Sequence, residues 1–192
     1  MSDFVFYFAL GWKHIISADA LDHQLFILAL ASVYTFKNLR QVLILITAFT
    51  IGHSLTLALS VLDVIRFSSK WVEFLIPCTI FITALNNILQ VDKKEGSAKI
   101  NYYLALGFGL IHGMGFANSI RIMLAKDQSI GMGLFSFNIG LEAGQITVVA
   151  IILALAMLFI QYLKVKRRDW VFFLSAGVFA LSVQMAFERL PF

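Results

Sequence analysis

Apolar residues fill this chain in long runs, divided by short polar clusters. Residues 3–17 and 20–36 are two short apolar stretches separated by a polar joint at Ser17–Asp22, and Lys37 to Arg40 closes the second. A third run covers 41–63 and ends at Asp63 to Lys70, and a fourth, 71–91, is closed by VDKKEGSAK, the most polar stretch of the sequence. Residues 100–124 make a fifth run, 131–163 a sixth and 169–188 a seventh. Most are long enough to supply the roughly 20 residues that cross a hydrocarbon layer of about 30 Å. None has the two-residue alternation of a membrane barrel, and lipid leaves no backbone group to water, so the runs are expected to be helices. Trp71 and Trp170 begin their runs, as interfacial aromatic anchors do. The sixth run would reach roughly 48 Å as one helix, so a break is expected at Gly140 and Gly144, giving a membrane-dipping piece and a full span over 145–163. The expected fold is all-α: one integral membrane domain over 1–192, a polytopic helical bundle of six to seven transmembrane helices, some short or broken.

Composition agrees and narrows the class. Of the 192 residues 60% are hydrophobic, above the roughly 45–50% of soluble domains, which excludes a water-soluble enzyme and a disordered tail. The single Cys78 sits in an apolar run, which excludes a disulfide scaffold. The net charge of +4 comes from Lys and Arg between the runs rather than on an amphipathic face, so the bilayer is the expected partner and nucleic acid is not. With seven crossings, one side collects Lys37, Arg40, Lys93, Lys94, Lys99, Lys164, Lys166, Arg167 and Arg168, and the other mainly Arg66, Lys70, Lys126 and Arg189. The positive-inside rule then puts the first set and the N-terminus inside, in a bacterial inner membrane; a single crossing by 3–36 would move only the N-terminus outside. Asp3 argues against a cleaved signal peptide, whose first region is basic. No phosphate-binding loop occurs, so ATP is not an expected partner, whereas a homo-oligomer stays open. No convincing internal repeat emerges: the glycine-rich fifth and sixth runs look alike but do not align.

Candidate chemistry lies in the polar residues kept inside apolar runs, where a charge at the bilayer centre costs about 2.5–3.5 kcal/mol. All four histidines are there: His14 and His23 around the first joint, His53 in the third run and His112 in the fifth, joined by Asp19, Asp22 and Glu142. Imidazole nitrogens with carboxylates suit a divalent transition metal such as Ni, Co or Zn, and disfavour Ca and Mg. Copper(I) would need clustered Cys or Met, which the chain lacks. Thr47, Thr50, His53 and Thr56 follow at three-residue spacing with Ser54 beside them; the hydroxyls read as an interhelical hydrogen-bond seam and His53 as functional. Asn138, Glu142 and Gln145 form a polar stripe among Gly140 and Gly144, and Glu142 is expected to couple metal occupancy to protons.

The DH of LDHQLF, then FTIGHSLTLAL, IHGMGFA and FNIGLEAGQ, in this order over residues 11–150, resemble the second branch of the HupE/UreJ family of polytopic membrane proteins. The resemblance implies a small helical-bundle protein, permease-like and associated with nickel or cobalt supply, and the matching residues are His14, Asp22, His23, His53, His112 and Glu142. Two functions follow as expectations. The first is a secondary transporter for a divalent transition metal through an intramembrane His/carboxylate site. The alternative is a membrane-embedded zinc-type hydrolase, in which the same cluster holds the metal and a remaining carboxylate activates its bound water.

Overall fold

The computed structural model describes residues 3–91, 98–124 and 130–192. Lys93, Lys94 and Lys126, among the charges expected to set orientation, lie outside them. Among the described residues are seven α-helices and no strand: α1 (Asp3–Ile16), α2 (Leu21–Ala31), α3 (Leu39–Val61), α4 (Ser69–Gln90), α5 (Ala98–Leu124), α6 (Ile130–Met157) and α7 (Arg167–Glu188). The spans Phe36–Val61, Ser69–Gln90, Ile130–Tyr162 and Arg167–Glu188 are each long and apolar enough to cross a membrane, so the expected all-α membrane bundle is what the chain forms.

Helix directions follow from contacts and connection lengths. α3 and α5 run the same way, Phe49 against Gly109 and His53 against Gly113. α6 follows after residues 125–129, which reach at most about 18 Å against roughly 40 Å for α5, so it runs back. α1 lies along α6 in that same direction, with Phe8 against Gly140 and Trp12 against Gly144. α4 reverses from α3 through a turn in which Asp63 and Arg66 form a bidentate ion pair. α2 runs with α4: their early turns share a cavity, and further along Asn87 Nδ2 donates to the Ala29 carbonyl at 2.7 Å. It runs against α7, since Asp22 meets Arg189 at 3.4 Å and the Val33 carbonyl accepts from Arg167 at 2.6 Å. α1 and α2 therefore point the same way. At roughly 21 and 16 Å each is too short to cross alone, and together they make one passage interrupted at Ser17–Ala20.

The polar joint predicted in the first stretch is thus a true helix break, whereas the break predicted at Gly140 and Gly144 is absent. α6 is continuous from Ile130 to Met157 and ends in one π turn, Leu158–Tyr162. Gly140 and Gly144 are notches. A Cβ on Gly140 would stand 2.0 Å from the Phe8 carbonyl oxygen, so they seat α1 and leave the hydrogen-bond ladder of α6 intact. The two tryptophans also differ: Trp71 is exposed as an anchor should be, but Trp170 is buried against Phe159, Ala156 and Val171.

The same interlock occurs twice, and it discloses a repeat. In the α1–α6 pair, Cβ atoms on Gly11 and Gly140 would meet the Phe137 and Phe8 carbonyl oxygens, both at 2.0 Å. In the α5–α3 pair, Cβ atoms on Gly109 and Gly52 would meet those of Phe49 and Leu106, at 2.1 and 2.3 Å. Gly11 thus corresponds to Gly109 and Gly140 to Gly52, which equates α1 with α5 and α3 with α6. Two short patterns fall into register: G-x-x-H at Gly11–His14 and Gly109–His112, and F-x-I-G at Phe49–Gly52 and Phe137–Gly140. α4 and α7, each the last helix of its unit, pack on one another in opposite directions. Three passages per unit make the second an inverted copy of the first. Comparing the fifth run with the sixth misses this, because those runs hold different places in the unit.

Candidate metal centre

The break between α1 and α2 sets two histidines beside one another. Ser17 adopts an extended backbone, ending α1 one turn after His14, and the chain re-enters a helix just before Asp22 and His23. A broken helix inside a bilayer leaves carbonyls without partners. The Gln24 side chain answers this: its Nε2 donates toward the carbonyls of Ile15, Ile16 and Ser17 at 3.1, 3.2 and 2.9 Å. At the other side of the break, Asp22 sits in the first turn of α2, where the helix dipole favours a negative charge. Its Oδ1 accepts from the His23 backbone N–H at 2.8 Å and from His23 Nδ1 at 3.0 Å, and its Oδ2 faces the Arg189 guanidinium.

That contact assigns the proton of His23 to Nδ1 and leaves Nε2 as a free donor of electrons, the arrangement carboxylates impose on metal-binding histidines. His53, from the middle of α3, closes on the same point, and His112, from α5, stands beside His23. His14 and His23 ring centres lie 4.7 Å apart, His53 lies 6.2 Å from each, and His112 lies 5.0 Å from His23. One ring nitrogen from each of His14, His23 and His53 falls within 4.8 Å of the others. His14 Nε2, His23 Nε2 and both nitrogens of His53 and His112 are buried without a hydrogen-bond partner. Leaving one such group unsatisfied costs about 1–3 kcal/mol, so several gathered within a few ångströms make a cluster that could hold a cation. Three neutral imidazoles with a carboxylate behind one of them fit a borderline transition metal at about 2.0–2.1 Å from each nitrogen after small side-chain adjustments.

Among the described residues, the site opens to one cavity. A cavity of about 380 Å³ runs from His14, His23 and His112 past Asp22 to Asp19, Glu73 and Arg189. Asp19 and Glu73 are exposed and give its outer part a negative lining, while His53, fully buried, does not reach it.

The other polar residues singled out in the sequence lie on α3 and α6. Glu142 accepts a hydrogen bond from Thr47 Oγ1 at 2.7 Å, and Gln145 Oε1 accepts one from Thr50 Oγ1 at 2.9 Å, so both fasten α6 to α3. Ser54 donates to the Thr50 carbonyl within its own helix, at 2.7 Å. Asn138 donates to the Leu134 carbonyl at 2.8 Å and stands beside His53 with its Oδ1 unpartnered. Gln24, Glu73 and Arg189 were not legible as parts of a site. Gln24 follows the DH pair in LDHQLF but carries no charge to single it out, Glu73 lies in no motif, and Arg189 reads as an ordinary charge beyond a span; only folding brings it to Asp22.

A family model described as HupE / UreJ protein matches residues 1–189. No curated protein and no solved structure matches the chain.

Proposed function

The chain belongs to the HupE/UreJ family, and we propose that it is a secondary transporter, a permease, for a divalent transition metal, with nickel first among nickel, cobalt and zinc. The observation that carries this reading is the convergence of unpartnered imidazole nitrogens from α1, α2 and α3, within 4.8 Å of one another, at the break of an intramembrane helix. His14, His23 and His53 hold the cation, His112 borders it, and Asp22 orients His23. The carboxylates of Asp19 and Glu73 draw cations into the vestibule. With one interrupted passage over residues 3–31 the chain crosses six times, so both termini lie on the side of the vestibule. Arg40, Lys164, Lys166, Arg167 and Arg168 lie on the other, which the positive-inside rule makes the cytoplasm of a bacterial inner membrane. The vestibule then faces outward, as uptake requires.

A zinc-type hydrolase would need a carboxylate free to act on metal-bound water. Asp22 is engaged by His23 and Arg189 and Glu142 by Thr47, while Asp19 and Glu73 stand in the exposed outer part of the cavity, which favours transport. The test is nickel(II) binding by calorimetry on the purified protein, paired with nickel uptake into proteoliposomes. The expected result is one nickel bound per chain and uptake that is lost in His53→Ala. Absence of nickel, cobalt and zinc binding would refute the proposal.

A further inference from the structure

Behind the histidines, away from the vestibule, one aromatic ring blocks the way. Phe26 of α2 is 1% exposed and its ring centre lies 5.5 Å from that of His112. It stacks on Phe49 at 5.0 Å and meets Phe108 edge-on at 5.6 Å. Phe108 in turn borders a second cavity, of about 170 Å³, between α2, α4 and α5, which also meets Tyr34, Thr83, Asn86 and Asn87. These residues belong to the ends of α2 and α4 opposite Asp22 and Glu73. Two cavities thus approach the histidines from opposite ends of the bundle, and Phe26 with its neighbour Phe108 lies between site and second cavity.

The inverted repeat gives this asymmetry a meaning. Phe49 beside His112, at 5.2 Å, is the counterpart of Phe137 beside His14, at 5.7 Å. Each side of the site therefore has its own aromatic layer. On one, Phe26 closes over Phe49; on the other, Phe116 stacks on Phe137 at 5.3 Å and borders the open vestibule. When two units of like architecture face opposite ways, an exchange of their conformations closes one route and opens the other around a fixed site. The amides and hydroxyls of the second cavity are weaker partners for a borderline cation than imidazole, which suits release rather than retention.

We propose that this protein exposes its histidine site alternately to two cavities, that Phe26 is the barrier to the second, and that the second cavity is the exit. The proposal rests on the transporter reading. Its test uses the full chain in proteoliposomes with Cys78→Ala, carrying a single new cysteine at Ser17→Cys in the vestibule or Asn86→Cys in the second cavity. Labelling by a water-soluble maleimide is followed with and without nickel(II), and nickel efflux is measured from loaded vesicles. In the parent, conditions that lower labelling at position 17 raise it at position 86, by about tenfold in each direction. In Phe26→Ala both positions label together and efflux rises about tenfold; Phe26→Leu, which keeps an apolar plug and guards against a folding failure, falls between. Labelling that does not vary reciprocally, with labelling and efflux indifferent to both substitutions, would overturn the proposal. Calorimetry with nickel(II) separates the two levels: a parent that binds no nickel defeats the transporter reading and this proposal with it, whereas normal binding with an inert Phe26 defeats only the barrier.

Discussion

At the scale of single residues, the cost of burying imidazole decides what His14, His23 and His53 do. Each lies among aromatic rings and helix backbones, and the contact of His23 Nδ1 with Asp22 ties the trio to a carboxylate. Asp22 therefore acts through His23, fixing its tautomer and its angle. Asp22→Asn should keep one nickel per chain but weaken its affinity by about 10–100-fold, measured by calorimetry; an unchanged affinity would mean that ring packing alone orients His23. Replacing His112, which stands outside the closest trio, should cost less affinity than replacing His53. Glu142, expected from the sequence to couple metal occupancy to protons, ties α6 to α3 through its hydrogen bond to Thr47. If holding the helices is its role, Glu142→Gln should leave both nickel affinity and metal-linked proton release in place. Calorimetry in buffers of different ionisation enthalpy tests this, and a loss of proton release would restore the carboxylate to the metal chemistry.

At the scale of helices, glycine sets how closely paired backbones approach. A Cβ at Gly109 would stand 2.1 Å from the carbonyl oxygen of Phe49, an atom with no freedom to yield, whereas one at Gly107, two residues earlier, would meet nothing within 4 Å. Gly109→Ala should therefore push α5 off α3 and destabilise the protein by at least the roughly 1–3 kcal/mol of an overpacked core. Gly107→Ala should be neutral or stabilising by up to about 1 kcal/mol through helix propensity. Thermal unfolding in detergent compares the two, and equal effects would refute the interlock. The same contrast explains which breaks were legible. Ser17–Asp22 is polar on both sides of the joint and lacks the apolar run that would carry a helix through it, so the sequence marks it. Gly140 and Gly144 carry no such polarity, and glycine alone does not distinguish a helix end from a notch for the helix that packs on it.

At the scale of the molecule, the six passages proposed for the chain would place both ends on one face. Reporter fusions at residues 1 and 192 should therefore lie on the same side, opposite a reporter inserted between Leu163 and Arg167; termini on opposite faces would restore seven crossings and the N-terminus inside. By itself the sequence determined that this chain lives in lipid as a helical bundle, because run length and backbone hydrogen bonding leave no other solution. It also determined that the four histidines and Asp22 are the residues worth following, since polar groups are too costly in hydrocarbon to be incidental. Tertiary structure alone decided which of them meet. His14 and His23 are near in sequence, but His53 and His112 reach them only because Gly52, Gly109 and Gly113 let α3 and α5 lock together. Helix periodicity specifies the face a side chain takes on its own helix, and says nothing about which face of another helix it will find. The inverted repeat was hidden for a related reason: it lies in backbone contacts, which glycine position and carbonyl geometry define, while few side chains around those contacts match between the two units.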